Sequence, residues 1–201
     1  MSTRINTRKI KYQKGFGLAE IIVFLLVISI VVVLALPQIT ASRRQTRFSA
    51  MQRQIVAFLN EARQNAMSQN IPITFRYDDI AKRIVIFGGN FGALGDTKNK
   101  TTDLSGANLT ASEIVYGRPG SAPESALPDT SDITPLVVGA VNITFQSDGS
   151  VFDAAGNQAN NALFFYNSKN SQTTAFAISI LGAGGRVKLW RYSKNIKLYV
   201  E

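Results

Sequence analysis

The sequence predicts an α+β protein: a long N-terminal helix, apolar and then amphipathic, followed by a mostly antiparallel, sandwich-like β head. Three observations lead there. Leu18–Leu36 reads LAEIIVFLLVISIVVVLAL, an apolar run broken by one charge, Glu20. From Phe48 to Ala66 apolar residues return at steps of three and four, the period of one helix face. Beyond Gln69 the chain changes to short alternating runs separated by turn residues, the pattern of strands buried on one side.

The apolar run comes first. Nineteen residues at about 1.5 Å each span roughly 28 Å, close to the hydrocarbon thickness of a bilayer. A helix is the only form in which a lone segment satisfies its backbone within lipid. A core helix of a soluble domain would show a polar face, and this run has none. A secretory signal has a shorter apolar stretch, about 7–15 residues, and a small-residue cleavage site after it; Leu36-Pro37 fits that poorly. A plain uncleaved anchor remains open. Net charge is +9, and five of the 22 basic residues (Arg4, Arg8, Lys9, Lys11, Lys14) lie in the first 15 positions, which hold no acid. Without that segment the balance is 17 basic to 13 acidic residues, so the chain beyond it is only mildly basic.

Glu20 demands a reason. A carboxylate in a membrane helix costs about 2.5–3.5 kcal/mol at the centre. A chain cut between Gly15 and Phe16 would expose an ammonium, with an ordinary pKa of about 8, that could pair with Glu20 of its own or a neighbouring copy. The stretch KGFGLAEIIVFLLVISIVVVLALP resembles the type IV prepilin signature over residues 9–37: basic leader, Gly15, Phe16, Glu20 and a closing Pro37 at family spacing. Gly17 and Ala19 are smaller than the residues common there. The resemblance implies a pilin fold, with a leader at 1–15, a spine helix at 16–68 and a head at 69–201. It implies a membrane prepilin peptidase that cuts after Gly15 and methylates the amine of Phe16, with Glu20 and Pro37 serving assembly. Its implied partners are other pilin or pseudopilin subunits and an inner-membrane assembly platform. It also places the chain once across the inner membrane, head on the periplasmic or outer side; basic residues flank the span almost equally and do not decide orientation. Pro37, lacking an amide donor, is expected to end or kink the helix.

After Pro37, Phe48, Met51, Ile55, Phe58, Leu59, Ala62 and Ala66 form one helical stripe, with Arg44, Arg47, Arg53, Asn60 and Arg63 on other faces. The stripe is expected to lie on the head, and Arg43, Arg44, Arg47 and Arg53 to form a solvated face. Strands are predicted at Ile71–Tyr77, Arg83–Phe87, Val141–Gln146, Ala162–Tyr166, Ala175–Leu181, Arg186–Trp190 and Ile196–Tyr199. Turns are expected at Asp78-Asp79, Ser147-Asp148-Gly149, Gly182–Gly185 and Ser193–Asn195. The segment 88–135, rich in Gly, Ser, Thr, Asp and Pro, reads as an exposed loop. Three blocks, AFLNEARQNAMSQNIPITF, ITFQSDGSVFDAAGN and FAISILGAGGRVKLWR, resemble in their order the GspH/FimT family, the H-type minor pseudopilins of type II secretion and related minor pilins. That resemblance implies a structural subunit that primes or caps a type IV pilus or pseudopilus. A major pilin fits less well, since many close a C-terminal loop with a disulfide and this chain has no cysteine.

Composition restricts the chemistry. With neither histidine nor cysteine, the chain cannot build Ser-His-Asp or Cys-His nucleophiles, nor Cys/His zinc sites. No enzymatic activity, metal or cofactor is expected. Asp148 and Asp153 lack the spacing of a calcium loop and read as a turn. The glycines at 182, 184 and 185 lie between strands with no following helix, so they read as a hairpin rather than a phosphate cradle. The C-terminal hairpin is the one candidate site. Strand alternation places Arg186, Lys188 and Trp190 on one face, with Lys197 and Tyr199 beside them, and cations interleaved with aromatics suit a nucleic-acid backbone. Some relatives of the FimT type bind DNA through a Gly-Arg-x-Arg motif at this place. Here it reads Gly185-Arg186-Val187-Lys188, and the final Lys lacks the bidentate phosphate geometry of Arg. The resemblance thus leaves a second function open, a DNA-binding minor pilin; the plainer reading of the same hairpin is a soluble β face with Trp190 tucked beneath a loop.

Overall fold

A computed structural model describes residues 17–88, 97–107, 109–120, 127, 133–152 and 157–201. The chain divides into two compact units, one ending at Ala41 and the other Ser42–Glu201. Helix α1 (Leu18–Gln69) contributes to both. In the first unit its large apolar side chains, Ile21 to Leu36, are exposed. The α1 assignment continues through Pro37, so the expected helix end does not occur there. Proline removes one amide donor from the ladder, and the turns on either side keep theirs. α1 stops at Asn70, whose φ of 54° is the left-handed conformation that Asn tolerates at a helix C-terminus; Pro72 follows.

In the second unit the α1 stripe does what its spacing predicts. Phe48, Met51, Ile55, Phe58, Leu59, Ala62 and Ala66 are all buried. Two antiparallel sheets share that core. The first runs β3 (Thr97–Asp103), β2 (Arg83–Gly88), β1 (Ile73–Asp78), β5 (Ala140–Phe145). The second runs β4 (Ile114–Tyr116), β6 (Asn161–Asn167), β7 (Phe176–Ile180), β8 (Val187–Ser193), β9 (Leu198–Val200). A single helical turn, α2 (Ser171–Thr174), links β6 to β7. Alternate residues supply the core: Ile73, Phe75 and Tyr77 from β1, Val141, Ile143 and Phe145 from β5, and Phe176, Ile178 and Ile180 from β7. Aromatic rings connect the layers. Tyr77 meets Phe165 edge-on at 5.0 Å, Phe165 stacks on Phe176 at 5.3 Å, and Phe176 takes the edge of Phe48 at 5.6 Å. Burial, and then the Asp79 carboxylate that accepts its hydroxyl proton at 2.7 Å, push the Tyr77 phenol far above its usual range.

The segment 88–135 departs from expectation. It holds β3, the short strand β4 and a 3₁₀ turn at Ala111–Glu113, and Leu104, Leu109, Ile114 and Leu127 are buried. β3 reads TKNKTTD and has no apolar alternation to announce it. It is an edge strand held by its backbone ladder to β2, with a register shift between Ile86 and Phe87. Lys100 adds an ion pair to Glu61 of α1 at 2.7 Å.

Glu113 ties this segment to the helix. Its side chain is 3% exposed and pairs with Arg44 Nε of α1 at 3.0 Å and with Lys169 Nζ at 2.8 Å. The Thr110 amide donates to it at 3.2 Å. Burial alone would raise its pKa, but Lys169, the Thr110 amide and Arg44 together hold it below the ordinary 4.5. A carboxyl lowered on folding stabilises the fold above its unfolded pKa, and that contribution disappears as pH falls through the folded value. Glu113→Gln should therefore cost about 1–3 kcal/mol at neutral pH. Chemical denaturation across pH should show the gap between the two proteins closing below 4.5; a gap that stays constant into acid would contradict this account.

Candidate functional site

Gly15 and Phe16, the proposed processing junction, lie outside the described residues. Glu20 is in the first turn of α1, where its amide donates to the Gly17 carbonyl at 3.0 Å, and its side chain is exposed. It is followed by an apolar stretch that is exposed along its length and long enough to cross a membrane. A carboxylate on an uncovered apolar helix has two ways to avoid its desolvation cost: it stays at the water interface, or it meets a cation when a neighbour covers it.

The C-terminal hairpin follows the plainer of its two readings. The aliphatic face does point inward, with Val187 and Leu189 packed on the core. The opposite face, which DNA binding would need open, is partly covered. Trp190 is 6% exposed and its indole donates to Ser179 Oγ at 2.8 Å. Together with Phe164, Tyr192, Tyr199, Ala162, Ala175, Ala177 and Leu127 it forms a second apolar cluster. Trp190 is thus a core residue here, not an open stacking platform, and Leu127 and Ile133 of the 88–135 segment belong to the same cluster. Burial also pushes the Tyr199 phenol up to about 12.

The cations of the hairpin do not act as one group. Arg186 is exposed. Lys188 lies 5.1 Å from the Trp190 ring centroid and 3.5 Å from the Glu201 carboxylate, so part of its charge is answered within the chain. Lys197 is exposed but sits in the turn, with φ 54°, because β8 runs on to Ser193 and the turn shifts to Lys194–Lys197.

The remaining candidates resolve into turns. The Gly182 amide donates to Asn160 Oδ1 at 2.8 Å and the Gly185 amide to the Leu181 carbonyl at 2.7 Å, leaving neither for a phosphate. Gly185 has φ 60°, and a Cβ there would lie 2.1 Å from the Gly149 carbonyl oxygen, so the glycine serves close packing of two turns. Asp148 Oδ1 accepts the Ser150 amide at 2.9 Å; Asp153 lies outside the described residues. No metal-holding cluster occurs among the described residues.

One grouping was invisible in the sequence. Arg53, exposed as the solvated stripe predicts, also lines a cavity of about 270 Å³ with Gln52, Thr173 and the exposed Arg191. The two α1 positions are more than 100 residues from Thr173 and Arg191 in the chain, and only the packing of α1 beside α2 and β8 brings the two pairs together.

Because the chain has a single tryptophan, its burial can be read directly. Iodide should quench the fluorescence of the folded protein weakly and that of the denatured protein strongly. Trp190→Ala should destabilise the fold by about 3–5 kcal/mol, the cost of emptying a core aromatic site. Strong quenching in the native state would place the ring outside.

No family profile matches this sequence, and no curated protein matches it. Among solved structures the chain is similar to the type IV minor pilin FimU of Pseudomonas aeruginosa PAO1. One crystal form aligns at 19% identity over 72% of this chain and 88% of that one, with a TM-score of 0.46. A second form gives 16% identity, 70% and 90% coverage and a TM-score of 0.45. The chain is likewise similar to the minor pseudopilin EpsH from the type 2 secretion system of Vibrio cholerae, at 11% identity over 71% of this chain and 95% of that one, with a TM-score of 0.44.

Proposed function

We propose that this chain is a minor pilin or pseudopilin, a non-enzymatic structural subunit that primes or caps a type IV pilus or a type II secretion pseudopilus. The observation that carries this reading is the first half of α1. It is apolar on every face, exposed along its length, and bears one carboxylate, Glu20, in its first turn. A surface of that kind suits lipid before assembly and other helices after it. In this reading a prepilin peptidase cuts after Gly15, the methylated amine of Phe16 becomes the new terminus, and Glu20 pairs with the terminus of an adjacent subunit. The chain then spans the inner membrane once, is drawn out by an assembly platform, and carries its β head on the outer side.

The DNA-uptake reading is second. It would have to run through Arg186 and Lys197, which are exposed, since Lys188 is engaged by Glu201 and Trp190 is buried.

Glu20→Ala separates insertion from assembly. Removing the charge eases insertion, so the variant should still fractionate with membranes. It should be depleted about tenfold or more from sheared filaments, measured by quantitative immunoblot against the wild-type chain. Normal incorporation of the variant would remove Glu20 from the assembly contact and contradict the reading.

A further inference from the structure

The end of the head that carries Ser42 presents an apolar tip that nothing in the fold requires. Among the described residues, the two most exposed large apolar side chains are Val138 (91%) and Ile80 (83%), and Val137 (65%) is next to Val138 in the chain. They belong to two adjoining turns. The Val137 amide donates to the Ala140 carbonyl at 2.8 Å and the Ala140 amide to the Val137 carbonyl at 3.2 Å, closing a two-residue turn at Val138-Gly139. The Asp79 amide donates to the Gly139 carbonyl at 2.8 Å, and a Cβ on Gly139 would lie 2.9 Å from Ile80 Cδ1, so Ile80 lies against that turn. Asp78 Oδ1 accepts the Ile80 and Ala81 amides at 3.1 and 2.9 Å, which holds the second turn without help from the Ile80 side chain.

Val138 suits neither its backbone nor a core. Its φ is 51° and that of Gly139 is 72°, the primed arrangement in which Asn-Gly is favoured. A left-handed conformation crowds a β-branched side chain, and Asn would relieve it. With 91% of its surface exposed, the valine gains nothing from packing. A side chain that strains its backbone and buries nothing in its own fold fits a role outside that fold.

The position of the tip selects a lipid surface. β5 leads from the tip to the turn at Gly149, where a Cβ would meet Arg63 and Met67 near the end of α1. The tip is at the opposite end of that sheet. There the Leu104 amide donates to the Lys82 carbonyl at 2.9 Å, and a Cβ on nearby Gly106 would lie 3.6 Å from the Arg47 guanidinium. Arg47 is only the sixth residue of the head. Ser42, the first, is six positions beyond Leu36, the end of the apolar run, and six residues reach at most about 20 Å. The acids beside the tip, Asp78 and Asp79, are paired with Arg83 and Lys82, and Arg43 is exposed at the same end, which suits phospholipid headgroups.

We propose that Ile80, Val137 and Val138 seat the head on the phospholipid surface before assembly, a role that rests on the reading of the first half of α1 as a membrane span.

The chain has no cysteine, so a single one can be introduced and labelled. Full-length Val138→Cys and Ser68→Cys, the latter exposed near the far end of α1, would carry bimane in phosphatidylglycerol vesicles containing doxyl-labelled lipid. The probe at 138 should be quenched at least about twofold more than the probe at 68. Adding Ile80→Asn and Val137→Asn should remove that difference. Unlabelled Val138→Asn in detergent micelles should raise the melting temperature by about 2–4 °C, because backbone relief is not offset by lost packing. A lowered melting temperature would make Val138 structural and overturn the proposal. So would equal quenching at the two positions, or a probe at 138 shielded only as protein density in the vesicles rises, which would assign the tip to a second copy. Carbonate extraction separates the two readings. A chain stripped from the vesicles contradicts the membrane span, whereas a resistant chain with an unquenched probe at 138 contradicts the tip alone.

Discussion

The stripe from Phe48 to Ala66 on α1 is the constraint on which the head depends. Seven apolar positions on one helical face must be covered, and the two sheets supply the cover with alternate residues of their strands. Once Ile73, Phe75 and Tyr77 face the helix, the period of two sends Thr74 and Arg76 to the far side of β1. There Thr74 meets Thr144 across the strands at 2.8 Å. The rings of Phe48, Phe176, Phe165 and Tyr77 carry the contact from helix to second sheet to first. Such edge-on and stacked pairs add about 0.5–1.5 kcal/mol each beyond their buried area. Glu113 then fixes the 3₁₀ turn and β4 against the same helix by charge rather than by area.

Elements with a strong period were legible in the sequence. Every residue of the α1 stripe is buried, and all seven expected strands are present within a few residues of their expected bounds. β3 was not legible, because an edge strand held by backbone hydrogen bonds needs no apolar face, and TKNKTTD offers none. β4 was hidden by its length of three residues. Trp190 follows the plainer reading, tucked beneath a loop, although the sequence did not say which residues would cover it. Its cluster draws on Leu127 and Ile133, which lie about 60 residues earlier in the chain. A two-residue error at the β8–β9 turn moved Lys197 from strand to turn. Pro37 marks the limit of a rule about single residues: one missing donor does not end a helix whose neighbouring turns remain paired.

Different parts of the chain therefore carry different kinds of chemistry. The first half of α1 offers apolar area and one carboxylate, its second half is absorbed in the head, and the hairpin is mostly structural. The cations divide accordingly. Arg44, Lys82, Lys100 and Lys169 are committed to carboxylates, whereas Arg53, Arg186 and Arg191 are exposed. A count of net charge would have merged these groups, although only their placement distinguishes a structural ion pair from an exposed cation.

The central claim is that the helix beginning near Glu20 is the processed, assembling end of a filament subunit. Mass spectrometry of the chain extracted from membranes of cells with an active prepilin peptidase tests it most directly. The account predicts a terminus at Phe16 bearing a methylated amine. A chain that keeps Met1 or Ser2 in such cells would contradict it.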